Sequence, residues 1–309
     1  MKKAVFWLVL KAIVAIVIMG YLINRIEFAR LLDVMKHANP FYIGLAVALA
    51  PLNIFWIYNR WRYLIRYLDP HQRISRGEIF GSALSGATLR LSTPGGLGEP
   101  GRIFYIRTLG RMRLLALSLL DNVSAIIVTI CFGSVGVAYT LSIPILYILP
   151  FFLLAGIAVV LRYRKKINID KLTFLPERFR RYDFWEVPRD IPANKLGTVV
   201  LMAAAMYIGF SAQYYLFILA FEKLSVIDGA MSIFSVWITK SLFPISLGDL
   251  GIRESVAIFY LSKYDISAAA ALNASLMLFT VNLLFPAIIG SVFLTRFKLH
   301  STEVENDEN

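Results

Sequence analysis

The sequence predicts an all-α, polytopic integral membrane protein, and three observations carry that reading. Of its 309 residues, 58% are hydrophobic and only 17% charged, where soluble domains are about half apolar and a quarter charged; the mean hydropathy is +0.66. Apolar runs recur at roughly the 20 residues that a bilayer crossing takes. The loops between them alternate between basic and non-basic, as loops on opposite sides of a membrane do. A chain of this length has room for about six to eight crossings, read as one transmembrane domain over 1–300 followed by an acidic tail, 301–309.

Ala4 to Asn24 is apolar except for Lys11 and follows Lys2 and Lys3 without a small-residue cleavage site, which predicts an uncleaved first span with a cytoplasmic N-terminus. Pro40 to Tyr58 ends in aromatics mixed with Arg60, Arg62 and Arg66, a headgroup-level pattern on the cytoplasmic side. Further spans are predicted at Leu114 to Leu141, Ile143 to Leu161, Leu196 to Phe221 and Ile266 to Thr295. Asn59 to Gly77 carries five arginines, and Arg162 to Lys195 ten basic residues against five acids, whereas Ser142 to Leu149 is uncharged. Six spans with both termini in the cytoplasm, in the plasma membrane, satisfy this alternation. The formal charge of +12 is therefore a topology signal, and no nucleic acid partner is expected.

Two apolar segments are too short to cross. Ile79 to Ser92 and Ala230 to Phe243 are each about 14 residues, or roughly 21 Å of helix against a hydrocarbon core near 30 Å. Each is broken by proline and glycine and followed by a short amphipathic helix, Arg102 to Arg111 and Arg253 to Lys263. Half-membrane re-entrant hairpins over 78–112 and 230–263 fit, because broken backbone is tolerated only inside protein or beside a water-filled cavity. The loop alternation makes the two enter from opposite faces, an inverted repeat; eight full spans are the alternative.

One pattern, PxxLG[ED]xG followed by arginine, recurs at both breaks: Pro94, Leu97, Gly98, Glu99, Gly101 and Arg102 in the first, where Gly95 also stands in the turn, and Pro244, Leu247, Gly248, Asp249, Gly251 and Arg253 in the second. Proline ends the first half-helix, and glycine permits the reversal. The acid stands where the second half-helix begins and could be an N-cap. The arginines oppose the positive end of a helix dipole, so an anion should offset them. Neighbouring acids (Glu99, Asp249, Glu254) and an anionic ligand such as a phosphate are both candidates. Arg90 and Lys240 lie at matching places about four residues before the motif proline, which points both cations at one buried centre. Asp121, in the third span, is a possible counter-ion. Gln213, Asn273 and Asn282 suit interhelical bonds, and Pro51 and Pro286 suit kinks.

Other chemistries find no support. Cys131 is the single cysteine, and His37, His71 and His300 are far apart, so neither a disulfide framework nor a metal site is expected. No cofactor is expected, and no nucleotide-binding loop of ATPase type occurs.

The stretches STPGGLGEPGR (Ser92 to Arg102) and FPISLGDLGIRE (Phe243 to Glu254) resemble the signatures of the flippase-like membrane family named after the transmembrane part of lysylphosphatidylglycerol synthases. With length and hydropathy profile, the resemblance covers nearly the whole chain. It implies a protein that translocates a lipid or handles a lipid-linked intermediate, with roles for Glu99, Arg102, Arg253 and Glu254. Aminoacyl transfer, the task of the soluble domain in larger relatives, does not carry over to this chain. Asn122 stands where the resemblance implies an arginine after the acid, so an ion pair at that point does not carry over either.

The sequence-level expectation is a lipid flippase or transporter, not an enzyme. It would move an anionic or polyprenyl-linked lipid with the headgroup phosphate between the two hairpin tips. A membrane lipid is the expected partner, alongside enzymes of envelope-lipid or glycan synthesis. An integral-membrane enzyme acting on a lipid phosphate and a non-transporting accessory subunit are the competing classes.

Overall fold

The computed structural model describes residues 33–93, 96–166, 182–246 and 248–294. The predicted first span, the turn residues Pro94 and Gly95, and the tail 301–309 lie outside the described residues. Helix α1 (Pro40–Ala48) starts where the Asn39 side chain accepts the Phe41 N–H at 2.9 Å with Pro40 in the first turn, both ordinary helix-start devices. It gives way at Leu49 to α2 (Ala50–Leu68). The predicted kink at Pro51 is thus a join between two helices, with proline in the first turn, where its missing N–H costs least.

Helix α3 (Arg76–Leu91) is capped by Ser75, whose Oγ accepts from the Glu78 N–H at 3.1 Å. After a break comes a 3-10 helix, Glu99–Tyr105, that folds back against α3. The α-helix expected from Arg102 to Arg111 does not form. The Arg102 carbonyl, which such a helix would give to the Ile106 N–H, accepts from Ser82 Oγ at 2.9 Å, and Ile106 N–H turns to Ile103 at 3.3 Å.

The chain continues through α4 (Arg111–Thr140), α5 (Leu149–Tyr163), α6 (Tyr182–Asp190) and α7 (Ala193–Leu219). Next comes the second helix–break–helix unit, α8 (Val226–Ser241) and α9 (Ile252–Leu261), then α10 (Ala268–Phe279). The last helix runs on through a π-turn, Thr280–Leu284, as far as Leu294. Pro286 accounts for the π-turn: it has no N–H to offer the Asn282 carbonyl four residues back, so the ladder slips by one.

Among the described residues, five helices are long and apolar enough to cross a membrane: Pro40–Leu68, Arg111–Thr140, Pro144–Lys166, Ala193–Leu219 and Ala268–Leu294. They are five of the six spans predicted; the sixth is the segment outside the described residues. Among the described residues there is no strand.

Helix α4 is the axis of the bundle. Against its C-terminal half lies α8, at a distance set by Gly133 and Gly136: a Cβ on Gly136 would sit 2.7 Å from the Met231 carbonyl oxygen. At that end Tyr139 donates to Asp228 Oδ1 at 3.1 Å. At the opposite end, Ile79 of α3 shares a buried cluster with Trp61, Leu114, Leu117 and Phe184. The two helix–break–helix units therefore start from opposite ends of α4. A polar knot ties the spans together: Asn53 donates to Gln213 Oε1 at 2.7 Å and to Asn282 Oδ1 at 3.1 Å, and Gln213 donates to the Ala46 carbonyl at 2.8 Å.

The two units repeat at a spacing of 150 residues. Ser75 and Ser225 cap helices of 16 residues each, bonding Glu78 and Asp228 N–H respectively. Ser82 and Ser85 match Ser232 and Ser235, all four buried. The register holds through Arg90 and Lys240, Gly98 and Gly248, and Gly101 and Gly251. It then slips by one, because Ile252 stands between Gly251 and Arg253 whereas Arg102 follows Gly101 directly.

Candidate functional site

The C-terminal ends of α3 and α8 meet beside a cavity of about 190 Å³, the space of about six waters at ~30 Å³ each. Its other walls are Ala125 and Thr129 of α4, Ala203 to Phe210 of α7, and Leu278 to Leu283 of α10. These residues fall near the midpoints of the three helices, so the cavity lies at mid-depth of the bundle. Three cations line it, Arg90, Lys240 and Arg253, against one carboxylate, Asp249.

The second unit builds most of the wall. Backbone at Gly248 (φ 59°) and Asp249 (φ 60°) is left-handed, which turns the chain sharply and aims the Asp249 carboxylate back at Lys240, to which it is hydrogen-bonded. Gly248 is boxed in: a Cβ there would lie 3.0 Å from Leu91, Phe279 and Leu283 side-chain atoms. The tip of the second unit thus abuts the end of α3. Neither motif acid caps its helix. Glu254 does that work in the second unit, accepting the Gly251 N–H at 2.7 Å.

Arg253 is held from behind by Glu254 at 2.5 Å, and its Nε donates to Ser275 Oγ at 2.8 Å. Ser275 in turn donates to Glu254 Oε1 at 2.9 Å. Glu254 is fully buried and does not line the cavity. Arg253 does, and so bridges the buried pair and the open space.

Arg102 is placed differently. Only 1% exposed, it does not line the cavity. Its Nη2 meets Asp121 Oδ2 at 2.7 Å, its Nε donates to Ser118 at 3.2 Å, and its guanidinium lies 3.8 Å over the Trp61 ring. Asp121 also takes Arg60 Nε at 2.5 Å. Asp121 is therefore met by two cations from elsewhere in the chain, although Asn122 follows it. Arg60, read from sequence as a headgroup-level residue, is 5% exposed and inside the bundle.

Glu99 lies between the two settings, 3.7 Å from Arg90 Nη1 and 3.8 Å from Arg102 Nη1. Neither contact is tight. The Arg90 side chain is 46% exposed, which leaves it the least committed cation at the cavity.

Several lining residues had no signal in the sequence. Tyr207 looks like any aromatic in an apolar span, yet it is buried, lines the cavity, and its hydroxyl has no hydrogen-bond partner among the described residues. Thr129 and Trp237 join it. Asn282, expected as interhelical glue, serves both in the polar knot and in the cavity wall.

Membrane-length helices around a charged, mid-depth cavity define an all-α, multi-pass membrane protein. Residues 8–290 match the model of the lysylphosphatidylglycerol synthase TM region, and the chain belongs to that family of membrane proteins involved in lipid handling. No curated protein matches it.

Proposed function

We propose that the protein moves a lipid with a phosphate-bearing headgroup between leaflets. The phosphate is held in the mid-depth cavity by Arg90, Lys240 and Arg253. The observation that carries this reading is that three cations line the cavity against the one lining carboxylate of Asp249, with Arg90 held only loosely, 3.7 Å from Glu99, in a place where a charge is costly without a partner. Arginine suits the role, since its planar fork takes two phosphate oxygens at once.

On this reading α3 and α8 are half-membrane hairpins of an inverted repeat in a plasma-membrane protein with cytoplasmic termini. Their starts at opposite ends of α4 and their meeting at its midpoint support it, as does the 150-residue repeat. Arg102, Asp121 and Arg60 then form the fixed scaffold of the first hairpin. Glu99 shifts between Arg90 and Arg102 as ligand comes and goes. The substrate is an anionic phospholipid or a polyprenyl-linked glycolipid, and the protein is a transporter rather than an enzyme. Enzymes that make or consume envelope lipids or glycans are its natural neighbours.

Reconstitution in vesicles free of nucleotide and metal tests it. Leaflet exchange of a labelled anionic lipid should be faster than in protein-free vesicles, with the headgroup chemically intact. Arg90→Gln with Lys240→Gln should abolish the gain. No exchange across a panel of phosphate-bearing lipids, or full exchange by the double variant, would sink the proposal.

A further inference from the structure

Helix α5 has no buried residue, although it packs along α4. It stands off from α7, and the space between α4, α5 and α7 is a groove of about 790 Å³, within the range of ligand pockets, about 300–1,000 Å³. Its walls are aliphatic and aromatic, with Leu120 and Ile127 from α4, Phe152 and Ile157 from α5, and Val200 from α7. Two glycines widen it: Gly156 on α5 and Gly197 on α7 line the groove, and a Cβ on either would meet nothing within 4 Å.

One end of the groove is basic. Helix α6 closes it, pinned to the end of α5 by Arg164, which donates to the Pro188 and Ile191 carbonyls at 3.1 and 2.5 Å. Arg189 reaches the same end, half-buried, with no acidic partner among the described residues. Trp185 completes that end, an aromatic at the level where tryptophan anchors in the interface.

From this we infer that the groove binds one anionic phospholipid, its acyl chains between α4, α5 and α7 and its phosphate at Arg189 and Arg164. The occupant follows from the two ends together. An apolar helix would fill the walls but bring no anion to Arg189, and a zwitterionic lipid would bring a cation of its own beside its phosphate, leaving the basic end less well matched than a net anionic headgroup does. This site is separate from the charged cavity, which lies farther along α4 and α7, so it stands or falls apart from the transport reading.

Native mass spectrometry of delipidated protein in detergent, titrated with phosphatidylglycerol or phosphatidylcholine, tests it without any transport assay. Phosphatidylglycerol should bind at one groove site, more tightly than phosphatidylcholine by about fivefold, the value of one interfacial arginine. Arg189→Gln should erase that preference. Gly156→Phe and Gly197→Phe should remove the bound lipid without lowering the melting temperature, since a Cβ at either position enters open space in the groove, with nothing within 4 Å. Arg90→Gln should leave it in place. Undiminished phosphatidylglycerol binding by both phenylalanine variants would overturn the site. So would a change of oligomeric mass in those variants with lipid binding retained, which would make the groove a contact between copies of the chain.

Discussion

At Arg102 and Arg90, the same side chain, present twice in the first helix–break–helix unit, serves two ends. Arg102 sits between Asp121, Ser118 and the Trp61 ring, a fixed pair whose breakage strands a buried carboxylate with Arg60 alone. Arg102→Ala should therefore cost about 3–5 kcal/mol, seen as a lower melting temperature and lower protein level in detergent. Arg90→Gln, at a half-exposed position, should stay within about 0.5 kcal/mol of the parent while slowing leaflet exchange. Outside the spans, Asp69 is set by local geometry. Burial alone would raise its carboxyl pKa, but hydrogen bonds from the Ile74 and Arg73 N–H groups and the Arg66 guanidinium outweigh that and hold it below the usual value. A depressed carboxylate stabilises the fold above its unfolded pKa, and that contribution fades as pH falls through the folded value. Asp69→Asn should thus melt below the parent at neutral pH, and the gap should close under acid conditions, below about pH 4.

The packing of helix on helix turns on small residues. Gly133 and Gly136 let α8 press against α4 so closely that a Cβ on Gly136 would lie 2.7 Å from the Met231 carbonyl oxygen and 2.9 Å from the Ser235 amide nitrogen. Gly136→Leu should cost at least the roughly 1–3 kcal/mol of an overpacked core, measured as loss of monodisperse protein after heating, because backbone cannot step aside. Hydropathy made the spans legible in the sequence, as length did the two short segments and spacing the shared motif. What it could not show was direction around a helix. Arg60 sits among interfacial aromatics and reads as one of them, yet its face of α2 looks inward to Asp121. Likewise Arg102 and Arg253 share a motif but not a setting, since their surroundings come from α4 and α10, far along the chain. Tyr207 was invisible for the opposite reason: nothing marks an aromatic in an apolar run as a cavity wall until its neighbours are in place. The short helix expected after Glu99 failed on one competing hydrogen bond, from Ser82, that no local propensity encodes.

For the whole molecule, topology is the broadest prediction. In a Cys131→Ala background, a cysteine at Ser142 or Ser225 should react with an impermeant reagent from outside intact cells, and one at Arg76 only after permeabilisation. Reversal at either face would remove the inverted arrangement and the proposed crossing path with it. The single residue Ile252, which puts the second repeat out of step with the first, has a consequence for such a path. The second arginine, in the first turn of an α-helix, lines the cavity, whereas the first, in a 3-10 helix, is turned into the protein. Two identical halves would hold inward-facing and outward-facing forms at equal energy. With Arg102 closed in by Asp121 and Arg253 at the cavity wall, that degeneracy is broken, and under the proposed function the empty protein would have a preferred side from which to begin.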